Sequence, residues 1–287
     1  MEPAIDQRWS GSDYETRAAE ENKLPGQASS RVGTCALCQK HGGLCLSHLL
    51  PKALYRWIQR STAGQKNANA VHVTAKQATT KSFQIAEYLL CPECEERLRV
   101  GGEDWVLANG FRGTGSFPIH SVLAGATPFA KLTQASIIDA RAIAGIDLQQ
   151  LAYFALSVFW RAGACQWNAL DHYSQISLGP YQETLRQYLL GGSFPYQAIL
   201  IANVADNPSP QLGAVFPYSN RVNGVWQHRF SMPGMAFWLH HGRFKDQLPA
   251  LCAVRSGVIC HAAKLDDNYE REMGALIRSA KPSAALR

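Results

Sequence analysis

The chain has 287 residues, 46% hydrophobic and 17% charged, with a formal net charge of +6. That supports one large domain, or a small one beside a medium one, with a real core, and excludes a chain disordered throughout. No apolar run reaches the roughly 20 residues of a membrane-spanning helix, and the longest, Leu151 to Trp160, reads as a core helix.

In chain order, residues 1–30 are polar, with Gly, Ser, Pro and scattered charges, and read as a disordered arm. This N-terminus has charges where a secretory signal needs an apolar stretch, so a cytoplasmic protein is expected. Residues 31–112 read as a metal module. Within it Leu54 to Ile58 looks like a short helix. Ser61 to Lys81, polar and without apolar periodicity, reads as a long mobile loop. Tyr88 to Leu90 is a short apolar approach to the second Cys pair, and Glu95 to Arg99 starts a helix behind it. Residues 113–287 read as an α+β domain of unknown role. Helices are predicted over Ser136–Ala144 and Leu148–Ala164, and from Pro180 to the stop at Gly191-Gly192. Short β-like runs follow: Ala198–Ala202, Gly213–Phe216, Val225–Phe230, Met235–His240 and Leu251–Val254. Turn-like breaks at Asn220–Gly224 and Ser231–Gly234 suggest an antiparallel meander. A last helix is predicted over Leu265–Ala280. The fold class expected is therefore α+β, a small zinc-stabilised module followed by a helical plus antiparallel-sheet domain.

The strongest chemical signal is a pair of Cys-x-x-Cys motifs, Cys35/Cys38 and Cys91/Cys94. In a reducing compartment paired cysteines favour metal over disulfide, and four thiolates from two knuckles form a closed tetrahedral zinc site. The spacing exceeds that of a compact zinc ribbon, so the metal brackets an inserted unit. Inside the bracket lies Ser47-His48-Leu49-Leu50-Pro51-Lys52. Cys45 sits at Cys-x-x-His spacing from His48 and reads as a small buried hydrophobe rather than a second site. No Asp or Glu occurs from Asn22 to Ala86, whereas Lys52, Arg56 and Arg60 fall there at helical spacing. Such asymmetry marks either a phosphate-binding surface or a solvated basic face. His240-His241 and Cys260-His261 read as structural, and Trp226, Phe230, Phe237 and Trp238 as the core face of a sheet.

Cys-x-x-Cys, Ser-His-Leu-Leu-Pro-Lys and Leu-Leu-Cys-x-x-Cys-Glu together resemble the zinc-bracketed HNH group of nucleases, also called His-Me or ββα-metal fingers. The resemblance covers about a quarter of the chain, from Cys35 to Trp105. It implies a metal-dependent endonuclease cleaving DNA, ahead of RNA, in the setting of phage defence or a mobile element. It further implies His48 as the general base and Mg²⁺ or Mn²⁺ as a catalytic ion beside the structural Zn²⁺. Lys52, Arg56 and Arg60 would then meet phosphates. Three positions depart from the family pattern. Ser47 stands where many members have an acid, Ala86-Glu87-Tyr88 lacks the usual Asn, and the last His or Asn on the helix is missing. Glu95 is the expected ligand of the catalytic ion, with Glu87 and Glu103 behind it. The alternative is a catalytically degenerate zinc module that binds nucleic acid or a partner protein. A protein partner or homo-oligomer would use the C-terminal domain.

Overall fold

A computed structural model describes residues 31–61, 71–73, 77–80, 84–112, 115–167, 176–210, 213–222, 224–242, 248–263 and 281–282. The arm read over 1–30 and the helix predicted over 265–280 lie outside these residues.

Strand β1 (Arg31–Thr34) turns through the first Cys pair into β2 (His41–His48), its antiparallel neighbour. The turn closes where Gln39 N–H donates to Cys35 O and Cys35 N–H to Lys40 O, with Gln39 in the left-handed region at φ +63°. Helix α1 (Lys52–Ser61) follows and is longer at both ends than the sequence suggested. The segment read as a loop contains β3 (Val71–Val73) and β4 (Gln77–Thr80), paired antiparallel. Val and Thr suit a pleated strand better than the polar composition implied. Strand β5 (Ala86–Leu90) then returns antiparallel beside β2. Helix α2 (Pro92–Leu98) opens at Cys91, with Pro92 in the first turn, where its missing N–H costs nothing. The chain continues through a π-helical stretch, Arg99–Glu103, into α3 (Asp104–Asn109).

Beyond this lie α4 (Pro118–Ala124), β6 (Ala130–Lys131), β7 (Ala135–Asp139), α5 (Leu148–Ala164) and α6 (Tyr181–Leu189). Then come β8 (Ala198–Ala205), β9 (Val215–Val222), β10 (Val225–Met232) and β11 (Met235–His241). A 3₁₀ turn (Leu248–Leu251), α7 (Ala253–Ser256) and β12 (Val258–Ala262) follow. A last short strand, β13 (Lys281–Pro282), pairs parallel with β4. The architecture is α+β, a small Cys-cluster module preceding a larger sheet domain.

Three sequence expectations change. The predicted helix over Ser136–Ala144 is strand β7 followed by a turn, because Ile137 and Ile138 pair with Cys260 and Ile259 of β12. The predicted strand over Leu251–Val254 is helical, stopped by Gly257 in the left-handed region at φ +70°. The sheet is no simple meander. Its order is β6-β7-β12-β8-β11-β10-β9, so β8 pairs with β11 rather than β9, closing a Greek key. Strand β12 lies parallel to β8, and the other neighbours are antiparallel.

Every residue of β8 is buried, because both faces of the sheet are covered. One face packs on α5: Phe154 meets Phe230 and Phe237 edge-on, and Phe159 meets Phe230 with ring centroids 5.0 Å apart. The other carries a smaller core of Ile137, Ile199, Ile201, Cys252, Val258 and Cys260, beneath the 3₁₀ turn and α7. Phe230 and Phe237 are core residues as expected, whereas Trp226 stays 41% exposed. Helix α5 is apolar nearly all round because the Cys module packs on its far side. Its N-cap is Asp147, whose carboxylate accepts from Gln150 N–H at 2.9 Å. Gly102 lies against the backbone of α5: a Cβ there would stand 2.5 Å from Gln150 O and 2.6 Å from Phe154 N. One contiguous core includes Cys35, Leu90 and Cys94 of the module and Phe154 and Phe159 of α5.

Candidate metal centre and active site

The two knuckles are held by different local structures. Cys35 and Cys38 sit on the β1–β2 turn. Cys91 caps α2, its carbonyl accepting from the N–H groups of Cys94 and Glu95. Leu89 is an extra residue on β5, since Cys45 pairs with Leu90 and Leu46 with Tyr88. This bulge turns the Leu89 carbonyl to the Ala36 N–H at 3.0 Å, stitching one knuckle to the other. Arg186 of α6 donates to Leu37 O from behind.

The ligand atoms of Cys35, Cys38, Cys91 and Cys94 all lie within 4.8 Å of one another, and Cys38 Sγ is 3.8 Å from Cys91 Sγ. Tetrahedral zinc with Zn–S bonds of about 2.3 Å requires sulfurs about 3.8 Å apart. The cluster therefore fits a metal ion such as zinc. Burial would raise the Cys35 thiol, but hydrogen bonds from the backbone at Cys91, Cys38 and Leu37 outweigh it and bring it down to about 7. Burial pushes Cys91 up to about 11.

Beside this cluster is a cleft of about 340 Å³ lined by His48, Lys52, Glu95, Arg99, Glu103 and Cys45, among others. His48 is the last residue of β2. Glu95, Arg99 and Glu103 recur every fourth residue along α2 and the π-helical stretch, so one helical stripe brings both carboxylates to the cleft. Glu95 Oε1 is buried and has no hydrogen-bond partner among the described residues. A buried carboxylate oxygen without a donor is costly unless a cation meets it. The donor thus suits a hard divalent ion, and Glu95 is the residue that would hold it. Among the described residues, however, the four cysteines are the only set of three or more such groups already within ligand distance of one another.

His48 is half-buried. Burial lowers its pKa, and the charges of Lys52 and Arg161 act in the same direction, while a hydrogen bond with Gln84 and the Glu103 carboxylate oppose them. The imidazole is therefore neutral at pH 7 and able to accept a proton. Lys52 and Arg56 are exposed on α1, neither in an ion pair among the described residues. Arg60 falls in the same helix one turn on. Arg99 is engaged on the surface by Glu96 at 2.6 Å and by Asp104.

Ser47 is buried and turned away from the cleft. Its Oγ accepts from Leu90 N–H at 3.2 Å, supplying the bond that the β5 bulge removes. Glu87 is directed elsewhere, accepting from Tyr88 N–H and pairing with Arg31. Cys45, read as a small buried hydrophobe, instead lines the cleft. Burial and the carboxylates of Glu95 and Glu93 push its pKa up, so it stays a neutral thiol. Sequence reasoning missed Arg161, which reaches into the cleft from α5. Its only sequence signal was a lone cation inside an apolar helix.

The remaining histidines occupy separate places. His228 Nε2 meets His241 Nε2 at 2.5 Å, its Nδ1 meets Ser219 Oγ at 2.6 Å, and Tyr181 lies over His241 at 4.2 Å. His261 contacts His120 at 3.2 Å, while Cys260 points into the smaller core. No helix among the described residues is long and apolar enough to cross a membrane. No family model, curated protein or solved structure matches the chain.

Proposed function

We propose that the chain is a zinc-bracketed HNH-like endonuclease acting on DNA phosphodiesters. The observation that carries this reading is the shared cleft: His48, from the end of β2, faces the same space as the Glu95 oxygen at the start of α2, which has no partner among the described residues. Two antiparallel strands leading into a helix, β2, β5 and α2, are the elements that the family resemblance implies. In this reading Zn²⁺ occupies the four thiolates and serves the fold.

The neutral His48 imidazole takes a proton from a water molecule as its oxygen attacks phosphorus. The new P–O bond forms as the bond to the leaving oxygen breaks, and the leaving oxygen departs with the electron pair. A divalent ion such as Mg²⁺ or Mn²⁺, held by Glu95 with Glu103 nearby, supplies positive charge for that oxygen when bound. Lys52 at the cleft and Arg56 one turn further along α1, neither in an ion pair among the described residues, bind flanking phosphates, with Arg60 a further turn along the same helix.

The test is plasmid cleavage by the purified, zinc-loaded chain in Mg²⁺ or Mn²⁺, beside His48→Ala. Wild-type cleavage that the substitution abolishes is expected. Equal cleavage by both proteins, or none by the wild type, overturns the reading. One observation favours a second reading, a zinc module that binds nucleic acid or a protein without cleaving: among the described residues, those of the cleft do not form a closed ligand set as the cysteines do. That module would bind DNA in a salt-dependent way, weakened by replacing Lys52, Arg56 and Arg60 together.

A further inference from the structure

Arg161 is 1% exposed in the last turn of an apolar helix. A guanidinium so deeply buried must be paired and hydrogen-bonded to be tolerated. Its Nη1 donates to the His48 carbonyl at 3.0 Å, and its Nη2 donates to the Glu103 carboxylate and to Ser157 Oγ at 3.3 Å. Two of these partners border the cleft, and they arrive from different elements: His48 from β2, Glu103 from the π-helical stretch.

The location of the His48 bond is informative. Pairing of β2 with β5 ends at His48 opposite Ala86, and the next N–H, of Leu49, donates to Ile85 O. The His48 carbonyl therefore points out of the ladder at the residue whose side chain enters the cleft. A planar fork holds two acceptors in fixed relation, which a lysine cannot do.

We infer that Arg161 is a positioning residue: one side chain from α5 clamps the end of β2 that carries His48 to the helix stripe that carries Glu95 and Glu103. The inference rests on the nuclease reading for its catalytic consequence. Its structural half, that Arg161 immobilises the His48 backbone, stands without it. The Cys module then has a complete site only while seated on α5, and α5 acts on the chemistry through this contact.

The experiment uses the full, zinc-loaded chain. Arg161→Lys keeps a charge but loses the fork. Arg161→Met combined with Glu103→Gln removes both charges, so neither is left buried alone, and Glu103→Gln by itself serves as comparator. Phe159→Leu, on the sheet-facing side of α5, controls for general loss of stability. Hydrogen exchange is followed at the amides of residues 46–50, and plasmid cleavage is measured in parallel. We expect exchange there to quicken by about tenfold in both Arg161 variants, with zinc content unchanged. We expect kcat to fall about tenfold or more, with KM for DNA nearly constant, and the double variant to lose more than Glu103→Gln alone. Unchanged exchange in both Arg161 variants, or an equal change in Phe159→Leu, overturns the clamp. Quickened exchange with wild-type kcat overturns its catalytic role. A wild-type chain that cleaves nothing overturns the nuclease reading and the catalytic role with it, while the exchange result still decides whether Arg161 holds the strand.

Discussion

Ser47 and Glu95 show how single residues divide the work around His48. Ser47 stands where an acid was expected by analogy, yet its hydroxyl completes the hydrogen bonding of Leu90 at the β5 bulge. Ser47→Ala should cost about 1–3 kcal/mol of unfolding free energy, because it strands a buried N–H. Ser47→Asp should cost more, because a carboxylate there is buried with no cation described beside it. Denaturant unfolding of the zinc-loaded protein checks both, and an Asp variant as stable as wild type would contradict the assignment. Glu95 behaves in the opposite sense. Its Oε1 has no donor among the described residues, so Mn²⁺ should raise Tm in the wild type, by the equivalent of about 2.7 kcal/mol at a hundredfold excess over Kd. Glu95→Gln should lose that increment and change little without the ion. An equal Mn²⁺ shift in both proteins would place the ion elsewhere. The Cys quartet was legible because ligand spacing is written along the chain. Arg161 was not, because its partners, Glu103 and the His48 carbonyl, are distant in sequence.

At the scale of elements, the π-helical stretch between α2 and α3 links the cleft to the core. Such stretches are commonly found at functional sites. Here it carries Glu103 on one side and presents Gly101 and Gly102 to α5 on the other, where Tyr153 and the Gln150 carbonyl leave no room for a side chain. Gly102→Ala should destabilise the protein by about 1–3 kcal/mol, since its Cβ would meet backbone that cannot swing aside. Thermal unfolding measures the cost, and wild-type stability would show that the helices can separate freely. The elements also explain which parts of the fold could be read from sequence. Leu148–Ala164 was placed to the residue because an apolar run of that length, followed by a break, has one good solution. Ser136–Ala144 was misread because Ala140, Ala142 and Ala144 suit a helix, while the β12 partner that makes its first half a strand lies more than a hundred residues away. The order of β8 and β11 depends on pairing across the sheet, which local pattern does not encode.

For the whole molecule, the sheet buries three histidines that the cleft does not use. Burial lowers His228 to about 3 and His240 and His241 to about 4, with His241 and Arg229 adding repulsion around the group. In the unfolded chain each would titrate near 6.5. The folded state therefore binds fewer protons than the unfolded state between these values. Stability is highest above pH 6.5 and falls as pH drops through 6.5 toward 4, below which the folded protein also takes up protons. With zinc bound to the four cysteines, its loss as they protonate would act in the same direction, so the slope for the wild type alone does not separate the two. His240 does. Both of its ring nitrogens are buried without partners among the described residues, and it lies in the sheet, away from the cysteines. His240→Leu removes one acid-sensitive group and no hydrogen bond described in the structure. It should raise Tm at pH 5 by several degrees more than at pH 8, with equal zinc content at each pH. A parallel pair of Tm–pH curves for the two proteins would mean that His240 is solvated or paired in solution, and would leave His228, His241 and the thiols as the sources of acid sensitivity.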